Sequence, residues 1–271
     1  MSKPGLPRVL LFDIGGVCVV SPFQGILDYE KAHNIPVGYI NYSISKTSPD
    51  GTWHQLERGE IQLDADYFRR FKADLEDEGR WRDYRHKLAT QTTSAASAST
   101  EPLLPATTER PPVPDIDAEQ LFWAMMSDSR HPDPHMFPAL QKLKASGTFT
   151  LAALSNTVIF PPGSPLADVA EEGDVRRIFD VFISSAHVGM RKPDPRIYQY
   201  TLEKLREKVG PDLKADEVLF LDDIGENLKP ARALGMRTIR VMLGKTDVAV
   251  KELENILHMD LGEERQERAK L

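Results

Sequence analysis

Four short stretches of this 271-residue chain carry side chains that could do chemistry together. In Phe12-Asp13-Ile14-Gly15-Gly16-Val17 a carboxylate follows an apolar run and precedes two glycines. Such an aspartate can be a covalent nucleophile through one oxygen while the other binds a metal. The glycines let backbone approach a ligand closely. In Leu154-Ser155-Asn156-Thr157, a hydroxyl, a side-chain amide and the N–H groups of a turn could cradle a phosphoryl group. In Gly189-Met190-Arg191-Lys192-Pro193-Asp194-Pro195, Lys192 stands just before a helix start, a place that favours anions. A lysine there can neutralise a phosphate and a carboxylate brought together. In Leu219-Phe220-Leu221-Asp222-Asp223-Ile224-Gly225-Glu226-Asn227, two adjacent acids follow apolar residues. That pairing is costly unless a cation offsets it. Magnesium does so well, because it prefers carboxylate oxygens and retained waters. Asn227 can hold a lysine or a carboxylate in place. Singly, each stretch also reads as an ordinary turn or a solvated surface segment.

The elements that must position these residues are legible. Arg8 to Phe12, Thr148 to Leu154, Val181 to Ser184, Val218 to Leu221 and Thr238 to Val241 are short apolar runs suited to strands buried on both faces. Stretches of helical length separate them. The clearest is Pro195 to Glu207, with Asp194 as N-cap, Pro195 as first helical residue, and Ile197, Tyr198, Tyr200, Thr201, Leu202 and Leu205 on its less polar face. Alternation of this kind predicts an α/β fold with a mostly parallel sheet, whose ligands bind outside the carboxyl ends of the strands. Between Ser21 and Met126 the rhythm changes. Tyr29, Ile40, Trp53, Leu56, Ile61, Leu63, Tyr67, Phe68 and Phe71 fall at helical spacings, and Asp64 is placed to cap a helix toward Leu75. The expectation is a core of residues 1–21 and 127–271 with a helical cap inserted at 22–126. Within the cap, residues 89–114 are rich in Ser, Thr, Ala and Pro, and are predicted to form a disordered loop.

Composition removes other classes. With 34 basic and 41 acidic residues the net charge is −7, against binding nucleic acid through its phosphates. The single cysteine, Cys18, excludes an internal disulfide framework. No apolar run approaches the ~20 residues of a membrane span. The first apolar run is broken by Asp13, too early for a signal-peptide core, so secretion is not expected. The ending Ala269-Lys270-Leu271 is a conservative variant of the S-K-L address read by the peroxisomal import receptor. The expected compartment is cytoplasmic or peroxisomal. Trp81 to Lys87 reads as a helix face with snorkelling cations, and His131, Asp133 and His135 as a proline-rich hinge, not a metal site.

Taken together, the order and spacing of the four stretches resemble the haloacid dehalogenase-like (HAD) hydrolase superfamily over nearly the whole chain. The runs Val218 to Thr238 (VLFLDDIGENLKPARALGMRT) and Gly189 to Tyr198 (GMRKPDPRIY) look most like one subgroup. It contains the N-terminal phosphatase-type domain of soluble epoxide hydrolases and a related domain of acyl-CoA dehydrogenase fusion proteins. The segment Trp53 to Phe68 resembles that subgroup's cap. The resemblance implies a Rossmann-like core and a Mg²⁺-dependent phosphatase. Asp13 would form an aspartyl-phosphate that water hydrolyses, while Ser155 and the Asn156 region hold phosphoryl oxygens. Lys192 would balance charge. Asp13, the Gly15 carbonyl and Asp223, with Asp222 sharing or supporting, would bind the metal. Asn227 would orient Lys192 or the acidic pair at the substrate site.

One position departs from the pattern. Phosphatases of this superfamily usually carry a second Asp two residues after the nucleophile, as general acid and base; here it is Gly15. A positioned acid–base contributes about 10²–10⁴-fold. The expected substrate is therefore a small phosphorylated metabolite with a good leaving group: an acyl or anomeric phosphate, or a diphosphate. Glu226 or a cap residue is a candidate replacement. Two alternatives stand: a scaffold that binds a phosphorylated ligand or partner with little turnover, and a dehalogenase-type hydrolase, which the metal-seeking acidic pair disfavours. Substrate choice is assigned to the cap between Phe23 and Trp123.

Overall fold

The structure is a computed structural model, and it describes residues 5–96, 112–164, 166–167 and 174–262. Five strands form one parallel sheet: β1 (Val9–Phe12), β2 (Thr150–Ser155), β3 (Val181–Ser184), β4 (Val218–Asp222) and β5 (Arg237–Arg240), in the order β3-β2-β1-β4-β5. β1 lies at the centre. Phe12 pairs with Ala153 on one side and Leu221 on the other, so Asp13 and Asp222 leave the sheet on the same rung. The Asp13 N–H donates to the Leu221 carbonyl at 2.8 Å and extends the ladder by one residue. Strand ends differ from the sequence expectation by one or two residues; the ladder carries β2 through Ser155 and β4 through Asp222.

Eleven helices are described: α1 (Pro22–Ala32), α2 (Tyr39–Lys46), α3 (Thr52–Glu57), α4 (Ala65–Leu75), α5 (Glu78–Ala96), α6 (Ala118–Asp128), α7 (Met136–Ser146), α8 (Ser185–Val188), α9 (Pro195–Val209), α10 (Gly225–Ala233) and α11 (Thr246–Leu257). Alternation along β1 divides the core. Leu10 and Phe12 pack with residues of α7 and α11 on one face, and Val9 and Leu11 with residues of α9 and α10 on the other. Asp194 caps α9 through the Arg196 N–H, with Pro195 in the first turn. A separate apolar cluster joins α1 to α6, with Tyr39, Tyr67, Phe71 and Phe122 nearly sealed from solvent. No strand is described between Ser21 and Met126, and Asp64 caps α4 through the Tyr67 N–H at 2.9 Å.

One expectation needs correction. Residues 89–96, assigned above to a disordered loop, continue α5 to Ala96. Trp81 and Tyr84 anchor the helix in that apolar cluster, and alanine is the best helix former, so the helix propagates into the Ala-containing polar segment. The rest of that loop up to residue 111 lies outside the described residues, as do Ala269, Lys270 and Leu271. Arg85 stands over the Trp81 ring at 5.7 Å. Asp133 accepts the His135 and Met136 N–H groups at the start of α7 and the Thr246 hydroxyl, which is a structural role. No described helix is long and apolar enough to cross a membrane.

Phe122 touches Trp53, Tyr67, Phe68 and Trp123 through ring contacts of 5.2–6.1 Å. Phe122→Ala should destabilise the fold by about 3–5 kcal/mol, read as a lower urea midpoint. A loss below about 1 kcal/mol would show that the cap core repacks freely.

Candidate active site

The carboxyl ends of the strands bring the four stretches together. Lys192 is 1% exposed, and its Nζ lies 2.8 Å from Asp13 Oδ1 and 2.7 Å from Asp222 Oδ2. The Phe220 ring lies under the ammonium at 5.6 Å. The Asn156 side chain clamps the lysine backbone on both sides: its Oδ1 accepts the Lys192 N–H at 2.8 Å, and its Nδ2 donates to the Lys192 carbonyl at 3.1 Å. Asp13 Oδ1 also accepts the Ile14 N–H at 2.7 Å. The Asn227 amide donates to both Asp222 oxygens at 3.0 and 3.1 Å, and the Ile224 N–H adds a bond at 2.8 Å. Tyr198 in turn donates to the Asn227 carbonyl at 2.7 Å, so α9 braces the start of α10.

These partnerships select among the roles left open above for three residues. Asp222 spends both oxygens on Lys192, Asn227 and the Ile224 N–H, so its geometry suits holding Lys192 rather than ligating a metal. Asn227 serves Asp222 and is 3% exposed, so its amide does not face a substrate. Asn156 contributes its side chain to the lysine loop, which leaves the hydroxyl of Ser155 and nearby backbone to meet an anion. The Ser155 hydroxyl sits at the end of β2, with a long 3.4 Å bond to the Asn156 carbonyl. Glu226 does not replace the missing acid: it is on the exposed side of α10, paired with Lys229 at 2.6 Å.

Asp13, Asp222 and Asp223 offer oxygens within 4.8 Å of one another. Asp223 Oδ1 is buried without a hydrogen-bond partner. A buried carboxylate oxygen left bare is expensive, and a hard divalent cation is the group that would satisfy it. Gly16 lets the Asp223 carboxylate approach the loop closely: its φ is +75°, and a Cβ would stand 2.6 Å from Asp223 Oδ2. The residues present therefore fit a magnesium ion held by Asp13 and Asp223. Gly15 follows Ile14 in the same loop, and a Cβ there would stand 3.0 Å from Pro22 Cδ.

Burial drives the titration of the cluster. It raises Asp13 to about 8; Lys192 opposes the shift, and the Asp222 and Asp223 charges add to it. Burial and the Asp222 charge push Asp223 up to about 7. Burial also works against the Lys192 ammonium, but Asp13 and Asp222 hold it above the ordinary lysine value.

Sequence reasoning passed over Glu57 and Ser185, and quoted Arg191 without a role. Glu57, at the end of α3, is buried and pairs with Arg191 Nε at 2.7 Å. An acid ending a short helix with Trp53 and Leu56 was the available signal, but nothing local marks its partner 134 residues away.

The geometry agrees with the comparisons. Residues 7–235 match the haloacid dehalogenase-like hydrolase family. The chain belongs to that family and is a hydrolase of the HAD type. It is 31% identical to acyl-CoA dehydrogenase family member 10 of Mus musculus over 94% of its length, and 29% identical to bifunctional epoxide hydrolase 2 of Rattus norvegicus over 92%. It spans only 19% and 38% of those two proteins. Over 84% of its length it is 33% identical to the sesquiterpene phosphatase astK of Aspergillus oryzae, of which it covers 87%.

The raised carboxyls give a signed pH dependence. Their folded pKa values lie above the unfolded ~3.9, so the folded state binds more protons between about pH 4 and 8, and stability falls as pH rises through that window. Metal-free protein should therefore lose urea resistance from pH 5 to 8. Magnesium should restore it at pH 7 with release of protons, measured by calorimetry in two buffers, and Asp223→Asn should abolish the response. An unchanged magnesium response in Asp223→Asn would remove Asp223 from the metal site.

Proposed function

We propose that the protein is a Mg²⁺-dependent phosphatase that works through an aspartyl-phosphate at Asp13, on a small phosphorylated substrate with a good leaving group. The observation that carries this reading is the Lys192 ammonium bridging Asp13 and Asp222 beside the bare oxygen of Asp223. Such an array suits phosphoryl transfer, which asks a protein mostly for positioning and charge stabilisation.

In this reading an Asp13 oxygen attacks phosphorus, the bond to the leaving oxygen breaks, and water then cleaves the acyl phosphate to free the carboxylate. Lys192 holds Asp13 in line and meets the phosphoryl charge, and the Ser155 hydroxyl and the backbone after β2 hold its oxygens. Magnesium, bound by Asp13 and Asp223 with the Gly15 carbonyl, would supply the positive charge that lets two anions meet. Asp222 and Asn227 keep Lys192 aimed.

Gly15 places no acid beside the leaving group, which favours acyl, anomeric and diphosphate substrates whose leaving groups depart with little protonation. Exposed apolar residues beside the acids favour a hydrophobic leaving group: Leu243 lies against Gly16, and Ile224 directly follows Asp223. The relative from Aspergillus oryzae bears the name of a sesquiterpene phosphatase. Gly15 also supports a second reading, a site that binds a phosphorylated ligand with little turnover. The buried acidic pair calls for a cation and disfavours a dehalogenase.

Phosphate release from alkyl, acyl, anomeric and prenyl phosphates, with and without Mg²⁺, tests the proposal. Turnover should need the metal, favour the better leaving groups by about 10²–10⁴-fold, and fall by roughly 10³ or more in Asp13→Asn. Turnover that survives Asp13→Asn would overturn the nucleophile assignment. Phosphate binding with no turnover across the panel would select the second reading.

A further inference from the structure

Glu57 joins the cap to both loops that would meet the phosphoryl group. Its carboxylate takes the Arg191 Nε at 2.7 Å, one residue before Lys192. Its backbone carbonyl takes the Ser185 hydroxyl at 2.5 Å. The same Ser185 oxygen accepts the Thr157 N–H at 2.8 Å, two residues after Ser155. Ser185 is fully buried, and the side chains of Glu57 and Arg191 are 9% and 19% exposed. Two residues beyond Glu57, Gly59 has φ +65°, and a Cβ there would collide with the Ala186 carbonyl oxygen. The turn after α3 thus rests directly on α8, with no room for a side chain between them.

This arrangement differs from a surface ion pair, which contributes little and tolerates many poses. Here a buried carboxylate pairs directly with Arg191, beside the Trp53 side chain, and Arg191 adjoins the lysine at the centre of the site. With α3 lifted away, Glu57 and Arg191 would each lose their partner, and the Ser185 hydroxyl would keep only the Thr157 loop. The bonds made by this single cap residue are therefore satisfied together when the cap is docked.

We propose that Glu57 is a positioning residue, which couples docking of the cap to the placement of Lys192 through Arg191 and of the Ser155–Thr157 turn through Ser185. Glu57 does not touch the reacting atoms. It sets how well the two loops receive a phosphoryl group, so anion affinity depends on a cap residue outside the anion site. The inference rests on the phosphoryl-site reading above, but it concerns binding, and is tested without turnover.

Calorimetry of inorganic phosphate binding at saturating Mg²⁺, on the full chain, reads it directly. Glu57→Gln keeps the shape and removes the charge. It should weaken phosphate binding by roughly tenfold while Mg²⁺ affinity measured without phosphate stays within twofold. Arg191→Met should do the same, and Glu57→Gln with Arg191→Met should be no weaker than the worse single variant. If Glu57→Gln fails to fold, Arg191→Met on the more exposed partner carries the comparison. Phosphate affinity within twofold of the parent in the folded variants would overturn the proposal. So would losses that multiply in the double variant, since the two residues would then act separately. A parent protein that binds phosphate but hydrolyses nothing would defeat the phosphatase reading and leave this one to be decided by the same titrations.

Discussion

The structure depends on one buried cation. Lys192 is sealed from solvent and would be intolerable there alone; it is stable because Asp13 and Asp222 flank its ammonium. Each of those carboxylates is held by donors from its own loop. The Ile14 N–H fixes Asp13, and Asn227 with the Ile224 N–H fixes Asp222. The parallel register supplies the rest, because central β1 pairs with β4 and sets the two acids on one rung. Removing one partner of such a pair leaves an uncompensated buried charge, at a cost of about 3–5 kcal/mol. Charge balance then points outward. Three carboxylates against one ammonium leave two negative charges when all are ionised, which is why burial raises Asp13 and Asp223 in the isolated chain and why a divalent cation fits beside them.

That requirement also explains the division of labour between the paired acids. Asp222 is entirely buried within the sheet's last rung, and faces donors on all sides. Asp223, one residue past the end of β4, lies against Gly16 and keeps its Oδ1 without a hydrogen-bond partner. A doublet of acids at a strand end thus serves two purposes at once: one locks the lysine and the other remains free for a cation.

The apolar runs made the parallel sheet and the helical stretch between β1 and β2 legible in the sequence, because both periodicities are local; the strand order was not. The chemistry-bearing residues were legible too, since each follows a strand. What the sequence hid was partnership. Asn156 looks like a ligand-facing amide, yet its side chain is consumed by the Lys192 backbone; for Asn227 the sequence offered a lysine or a carboxylate as partner, and the structure selects Asp222. Nothing local distinguishes an amide that binds substrate from one that holds a catalytic group. The same blindness hid Glu57, whose meaning comes from Arg191 across the interface between cap and core. The misread segment at 89–96 failed for another reason. Composition argued that it lacked a face to bury, but α5 was already nucleated at Trp81 and Tyr84, and propagation needs no further burial.

The glycine at position 15 gains a second meaning from the packing. A side chain there would press on Pro22, which opens α1 at the entry to the cap, with a Cβ only 3.0 Å from the ring. The nucleophile loop and the first cap helix thus approach each other through the space an acidic side chain would need. A carboxyl group at this point would also add a fourth acid to a cluster whose three already overwhelm one lysine. Omitting it lightens the electrostatic load on Lys192 and lets the cap entry settle against the loop. In the proposed phosphatase the burden of leaving-group departure would then fall on the substrate, and the reception of its phosphoryl group on how firmly α3 holds the Lys192 loop through Glu57.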